Sequence, residues 1–255
     1  MTDLSLRLDS ATVLITGGGR GNGASLAHGF AAAGATVVVT DIDLQTASAT
    51  AKSINAQGGK AFAYALDICD EAACRALAAT VSSDIGHITT LVNNAGLLFR
   101  EPFASDRSPE QWRRTLAVNV SGMFNATHAF LPHLKQTRGS ILNIGSIHSF
   151  TSGLSCLSSY TTSKGAVLQF TKALASELAT DGIRVNGLAP GSFPTAMSEA
   201  TREDPGKLQA FLSHVPMGRT GEPHELIGPA LFLTSPLASY ITGAMLPVDG
   251  GYLTR

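Results

Sequence analysis

Short runs of β-branched and apolar residues recur along the chain, separated by Ala- and Leu-rich stretches of helical length. Thr12–Thr16, Ala35–Thr40, Lys60–Leu66, Thr89–Asn93, Ser140–Gly145, Ile183–Leu188 and Ala244–Val248 are the strand candidates. Their apolar residues fall on both faces, which is the pattern of a parallel sheet covered by helices on each side. Glycines mark helix stops: Gly34 follows Ala24–Ala33, Gly58 and Gly59 follow Leu44–Gln57, and Gly182 follows a helix from about Ser158 to Asp181. The pattern predicts a seven-stranded, doubly wound α/β fold. No linker interrupts it, so residues 1–255 read as a single domain. In such a sheet, ligands bind outside the carboxyl ends of the strands, where the strand order reverses.

The first strand candidate leads into Thr-Gly-Gly-Gly-Arg-Gly-Asn-Gly, Thr16 to Gly23, and then directly into a helix. Gly17 permits a tight turn, Gly21 lets the backbone approach a diphosphate, and Gly23 allows close helix packing. Amides at the helix start then face the phosphates. Asp41 ends the second strand eighteen residues beyond Gly23, where a carboxylate can accept from an adenosine ribose. The alternative is that Asp41 or Asp43 caps the next helix. Arg20 suits a 2′-phosphate and so NADP, but that phosphate would be repelled by Asp41 whereas Arg20 can swing into solvent. NAD is therefore the expected cofactor, with NADP as the alternative. Asp67 can accept from the adenine amino group; equally, Asp67 or Asp70 can cap a helix.

The fourth strand runs into Asn93-Asn94-Ala95-Gly96, short residues suited to a turn beside a cofactor. The fifth delivers Ser146, and the next helix carries Tyr160 and Lys164, four residues apart and so on one face. A cation about 5 Å from a phenol, at an effective dielectric near 20, lowers its pKa from about 10 by roughly two units. On that reading Tyr160 exchanges a proton near neutral pH.

From Thr12 to Tyr252 the chain resembles the short-chain dehydrogenase/reductase family, in its single-domain form of about 250 residues. The resemblance rests on Thr16–Gly23, Asp67, Asn93–Gly96, Asn119 in Val-Asn-Val, Ser146 with Tyr160 and Lys164, and Pro190-Gly191 followed by Thr195. Tyr240–Gly243 and Val248–Gly251 look like the family's closing segment. The resemblance implies a Rossmann-type fold and hydride transfer between a nicotinamide and a carbinol carbon, without a metal. It makes Tyr160 the acid/base, Ser146 the partner of the reacting oxygen and Lys164 the holder of the nicotinamide ribose. Asn119 would support a water linking Lys164 to solvent, and Pro190 to Thr195 would position the nicotinamide. The cofactor contacts so implied are Gly17, Arg20, Gly21, Asn22, Gly23, Asp41, Asp67, Asn93, Ala95, Gly96, Tyr160, Lys164, Pro190, Gly191 and Thr195. Two departures stand out. Asn22 replaces a usual aliphatic residue, and Ser146 and Tyr160 are fourteen apart, one more than the common spacing. The loop around Gly153 is expected to carry the extra residue, and Ser158 and Ser159 read as helix-start residues.

Substrate contacts are expected from Leu97, Leu98 and Phe99, from His148, Phe150 and Leu154, and from Phe193 and Met197; of these His148, Leu98 and Phe193 are the chosen candidates. Ser192–Pro216, charged between Glu199 and Lys207 and containing His214, reads as a helical lid. Apolar walls with a few polar groups suit a secondary alcohol or ketone, and the overall look is similar to sugar, sugar-acid and polyol dehydrogenases. The alternatives are an NADPH-dependent 3-ketoacyl or xenobiotic ketone reductase and a non-catalytic dinucleotide sensor.

Charge and cysteine usage narrow the remaining classes. Lys and Arg number 18 against 19 Asp and Glu, a net charge of −1, which leaves no basic field for nucleic acid. Met1–Ser10 holds no apolar run, and no later run reaches the roughly 18 residues of a membrane span. A cytoplasmic protein is expected, with Cys69, Cys74 and Cys156 as reduced thiols. Only 15% of residues are charged, against about 25% in soluble domains. A helix with Val167, Leu168, Phe170, Ala173 and Leu174, and its predecessor near Trp112 to Leu131, have apolar area to bury against other subunits. The family resemblance implies that these helices pair, and a homotetramer is expected, with Leu246–Arg255 at a second interface.

Overall fold

Val13, Leu14 and Ile15 are all fully buried, although they alternate across the first strand. Val13 and Ile15 join a core with Val37, Val39, Leu142, Ile144 and Leu188, while Leu14 joins a second core with Val38, Leu91, Ile141 and Val185. Apolar residues on both faces therefore do what their pattern requires: the sheet is buried on two sides. The computed structural model describes residues 6–152 and 156–255. Its strands are β1 (Thr12–Thr16), β2 (Thr36–Asp41), β3 (Lys60–Ala65), β4 (Thr90–Asn93), β5 (Ser140–Ile144), β6 (Arg184–Pro190) and β7 (Met245–Val248). They form one sheet in the order β3-β2-β1-β4-β5-β6-β7, parallel at every pairing. The order reverses between β1 and β4, which opens a crevice at their carboxyl ends.

Helices α1 (Gly21–Ala32) and α2 (Leu44–Ala56) cover one face, through Leu26, Phe30, Ala47 and Ile54. On the other lie α3 (Glu71–Asp84), with Leu77 and Val81, and the long segment after β4. That segment was expected as one helix from about Trp112 to Leu131. It is instead α4 (Ser108–Leu116), a π-helical stretch Ala117–Gly122, and α5 (Met123–Thr137). The widened turn carries Asn119, whose side chain bonds to two other elements, described below, and such tertiary bonds are what hold a π-bulge in place.

Helix α6 (Ser158–Leu178) continues as a 3₁₀ turn to Asp181 and stops at Gly182, where φ is +76°. Ser158 and Ser159, expected as helix-start residues, do not cap it. Leu157 holds the N-cap position without a side-chain bond, and Ser159 is buried against the Thr115 hydroxyl, which donates to it at 3.3 Å. The expected lid contains two short helices, α7 (Glu199–Arg202) and α8 (Pro205–Leu212). Helix α9 (Ile227–Thr234) returns to the first face. Arg184 at the start of β6 donates to the carbonyls of Leu233, Thr234 and Ser235. A guanidinium there satisfies carbonyls left open at the helix end and complements its dipole.

Candidate active site

The crevice is lined first by backbone. Gly17 and Gly21 have φ of +63° and +55°, a region that L side chains seldom enter. A Cβ on Gly23 would lie 2.1 Å from the Gly17 carbonyl oxygen and 2.5 Å from Asn94 Nδ2. Only glycine lets α1 begin this close to β1. Arg20 precedes α1 in extended conformation and provides no side-chain cap, and the first turn contains no acid. The opening amides of α1 therefore suit an anion. Asn22 Oδ1 is buried here with no donor among the described residues, a further polar atom available to a bound group.

Asn93, expected among the cofactor contacts, directs its side chain elsewhere. Its Nδ2 donates to Thr127 Oγ1 and Asn143 Oδ1, both at 2.9 Å and both inside the protein. The neighbouring Asn94 does the bridging at the crevice: its Nδ2 donates to the carbonyls of Thr16 and Gly17 at 3.0 and 2.9 Å. Adjacent Asn residues at a strand end point to opposite sides, and the pair Asn93-Asn94 in the sequence is the signal that could have singled out the second. Ala95 approaches Gly17 so closely that a Cβ on that glycine would sit 2.9 Å from its Cα.

The two alternatives for the acids at the strand ends resolve through hydrogen bonds. Asp43 caps α2 by accepting from Gln45 N, and Asp70 caps α3 by accepting from Ala73 N. Asp41 caps nothing. Its carboxylate is buried at the end of β2 and accepts from Gly19 N at 3.0 Å and Asp43 N at 3.2 Å. Asp67 is exposed and accepts from Cys69 N with one oxygen. The uncapped helix, the glycine turn and the Asp41 carboxylate together fit a dinucleotide.

Beyond β5, Ser146 Oγ accepts from His148 N at 3.1 Å, which leaves its proton to donate. Ser149 links this turn to α6: its hydroxyl accepts from Ser146 N and donates to the Lys164 carbonyl. Ser146, Tyr160 and Lys164 are all buried. Burial pushes the Tyr160 phenol above its usual value, while Ser146 and then the charge of Arg100 pull it down. The net direction is upward, where a lowering by Lys164 was expected. Its Nζ sits 5.6 Å from the Tyr160 ring centroid and donates to the Ile144 carbonyl at 2.8 Å. Burial takes its own pKa down to about 8, because desolvation disfavours a charged ammonium as it does a phenolate.

Asn119 has its side chain fully engaged between two elements. Nδ2 donates to the Leu97 carbonyl and to Ser163 Oγ, each at 2.9 Å, and Oδ1 accepts from Leu97 N at 2.7 Å. It clamps the chain after β4 to α6, one residue from Lys164. A Cβ on Gly96 would lie 3.3 Å from Asn119 Oδ1 and 3.8 Å from Lys164 Nζ, so glycine keeps the space beside the ammonium clear.

His148 is buried and meets the Tyr160 ring edge to face, with centroids 5.9 Å apart. Its Nδ1 contacts the Thr151 carbonyl at 3.2 Å; a carbonyl only accepts, so Nδ1 carries the proton and Nε2 is an acceptor. Burial lowers its pKa and keeps it neutral. Leu98 is half-buried after β4. Phe99 is covered by Arg114, 5.0 Å from its centroid. Phe193 turns inward against Gly221 and lines a cavity of about 100 Å³ with Phe211, Val215 and Met217. Phe150 lines a separate cleft of about 510 Å³ with His214 and Tyr252. Leu154 and Gly153 lie outside the described residues. Pro190 ends β6, the Gly191 amide donates to the Val248 carbonyl, and Thr195 stands opposite Gly21, whose Cβ would lie 3.2 Å from Thr195 Cγ2.

Comparison with known proteins agrees with this geometry. The family model described as enoyl-(acyl carrier protein) reductase matches residues 17–253. The chain is 42% identical to galactitol 2-dehydrogenase (L-tagatose-forming) of Cereibacter sphaeroides, over 96% of each chain. It is 36% identical to 5-keto-D-gluconate 5-reductase of Escherichia coli strain K12, over 99% of each. Among solved structures, gluconate 5-dehydrogenase of Burkholderia cenocepacia J2315, in complex with NADP and tartrate, superposes with a TM-score of 0.94 at 36% identity, covering 98% of both chains. With a glycine turn on an uncapped helix, and Ser146, Tyr160 and Lys164 gathered beside it, the chain belongs to the short-chain dehydrogenase/reductase family.

Proposed function

We propose that this NAD(P)-dependent oxidoreductase works with NAD on a secondary alcohol of a polyol, sugar or sugar acid, converting it to the ketone. The observation that carries the reading is the placing of Tyr160 and Ser146 in one buried pocket with Lys164, beside the crevice between β1 and β4. A nicotinamide held in the crevice would supply the acceptor for the hydride of the carbinol carbon. Ser146 donates a hydrogen bond to the substrate oxygen, and Tyr160 takes the hydroxyl proton. Lys164 and Tyr160 would hold the nicotinamide ribose, and the Lys164 ammonium, 5.6 Å from the Tyr160 ring centroid, favours the phenolate as an adjacent positive charge.

NAD is supported by Asp41, buried where the adenosine ribose is expected, with both oxygens facing the glycine turn and the start of α2. A 2′-phosphate about 4 Å away would be repelled by about 4 kcal/mol per unit charge at an effective dielectric near 20. Arg20, exposed in the same turn, favours the second reading, an NADPH-dependent ketone reductase. Initial rates with NAD and NADP on a panel of polyols, sugar acids and 3-hydroxyacyl thioesters separate the two. Preference for NAD is expected, and Asp41→Ala should move the ratio of kcat/KM toward NADP by about tenfold. Tighter use of NADP by the unaltered protein would overturn the choice.

Ser192–Pro216 acts as the lid. The chain works as a homotetramer, with α5 and α6 paired across one interface; Phe124, 53% exposed and packed on Phe170, supplies apolar area there. Leu246 on β7, 37% exposed, belongs to the second. We place the protein in the cytoplasm, a reading supported by its free cysteines; no described helix is long and apolar enough to cross a membrane.

A further inference from the structure

Ser146 and Tyr160 must meet at one reacting oxygen, yet the chain between them does little to fix their separation. They lie fourteen residues apart, Phe150 beside the Ser146 turn is exposed, and the Leu157 N-cap of α6 makes no side-chain bond. The turn itself is a single 3₁₀ unit, Ile147–Ser149. Ile147 packs against Phe211, Val215 and Tyr252. Apolar contacts are non-directional, so they hold the turn in place without aiming the Ser146 hydroxyl.

The directional bonds converge on Ser149. Ser146 N donates to Ser149 Oγ at 3.3 Å, while Ser146 Oγ accepts from His148 N at 3.1 Å, a reciprocal pair that fixes the Ser146 backbone and side chain together. Ser149 Oγ then donates to the Lys164 carbonyl at 2.8 Å, fifteen residues away. Lys164 follows Tyr160 by one turn on the same face of α6. Its Nζ is also held from this strand end, by the Ile144 carbonyl at 2.8 Å. That bond depends on where the ammonium points; the Ser149 bond ends on backbone and does not. Gly145 leaves the hydroxyl its place, since a Cβ there would lie 3.0 Å from Ser149 Oγ. We propose that Ser149 is a positioning residue for the oxidoreductase reaction: bonded to the Ser146 amide and the Lys164 carbonyl, its hydroxyl aligns Ser146 with Tyr160. It is bonded to protein on both sides and acts through Ser146. This rests on the roles given to Ser146 and Tyr160 above, and not on the choice of substrate or cofactor.

The test compares Ser149→Ala and Ser149→Thr with the unaltered protein and repeats Ser149→Ala in a Ser146→Ala background. Initial rates are measured across pH with NAD and galactitol, D-gluconate or a 3-hydroxybutyryl thioester, and the compound turned over fastest is carried through. Ser149→Ala should lower kcat by about tenfold, the effect of one lost hydrogen bond. KM and NAD affinity should stay within about twofold, because Ser146 bonds the substrate oxygen most strongly in the transition state. Burial raises the Tyr160 phenol, and Ser146 and then the Arg100 charge lower it; Lys164 and His148 are the other titratable groups against its ring. Misaligning Ser146 should therefore move the rising limb of the kcat/KM profile to higher pH. Ser149→Thr keeps the hydroxyl and should restore both quantities. In the Ser146→Ala background, Ser149→Ala should cost less than about twofold more, as for residues that act as a unit. Should Ser149→Ala fail to fold, Ser149→Cys, of like size and with a weaker donor, takes its place. Equal losses with and without Ser146, a change confined to KM or melting temperature, or an unmoved pH limb would each overturn the proposal. Should no compound turn over, or Ser146→Ala lose nothing, the reading of the reaction fails. The alignment is then decided by the nuclear magnetic resonance of the labelled Tyr160 ring, assigned with Tyr160→Phe: titration at higher pH in Ser149→Ala keeps it, and an unmoved titration ends it.

Discussion

The two halves of the sheet build their parts of the site from different material. Around β1 and β2 the surface is backbone: Gly17, Gly21 and Gly23, the open amides of α1, and one carboxylate, Asp41, held by two amides. Around β4 and β5 it is side chains bonded to one another across long stretches of chain. Asn119 reaches Leu97 and Ser163, Ser149 joins Ser146 to Lys164, and Lys164 reaches the Ile144 carbonyl. A diphosphate is an extended anion that amides can hold from any sequence lacking Cβ atoms in the way. Proton exchange needs a particular group with a tuned pKa, and tuning comes from surroundings that arrive from elsewhere in the chain.

That contrast predicts separable failures. Tyr160→Phe should reduce turnover by about a thousandfold or more while NAD binding persists, since general acid–base catalysis contributes roughly 10²–10⁴; turnover within tenfold of normal would remove Tyr160 from the mechanism. Gly23→Val should do the reverse in kind. Its Cβ meets the Gly17 carbonyl oxygen at 2.1 Å, so fluorescence titration should show NAD affinity down by about a hundredfold, with melting temperature lowered by the overpacking. Retained affinity would show that α1 can back away from β1.

Lys164 is read through neither turnover nor cofactor affinity in this comparison, and its effect falls on stability. Its pKa in the fold is about 8, below the usual 10.5. Its contribution to stability is therefore full above about pH 10.5 and is lost as pH falls through about 8. At neutral pH, keeping the ammonium buried costs about 3 kcal/mol, from roughly 2.5 pK units at 1.36 kcal/mol each. Denaturant titrations of the protein and of Lys164→Met should show their stability difference changing by that order between about pH 8 and 10.5, with the variant gaining relative to the native chain as pH falls. A difference independent of pH would mean that Lys164 is not desolvated in the folded state.

Legibility followed the same division. The Gly17–Gly23 turn, the place of Asp41 at a strand end and the seven strands were readable because turn, period and spacing act over a few residues, and the observed strand bounds lie within two residues of the expected ones. Tyr160 and Lys164 were readable as a pair because four residues make one helix face. The π-helical turn at Asn119 was not, since nothing in Ala-Val-Asn-Val-Ser-Gly forces it and the bonds that stabilise it end at Leu97 and Ser163. The different partners of Asn93 and Asn94 depended on which of two neighbours faces Thr127, a residue 34 positions away from Asn93.

The sequence by itself determined the sheet, the glycine turn and the kinds of side chain gathered at the candidate site, because those follow from local sterics and residue type. Only the tertiary structure decided the state of those groups. Burial brings the pKa of the Lys164 ammonium down to about 8, pushes the Tyr160 phenol up and keeps the His148 imidazole neutral. Desolvation and charge pairing depend on atoms that are near in space and far along the chain, and no spacing of residues encodes them.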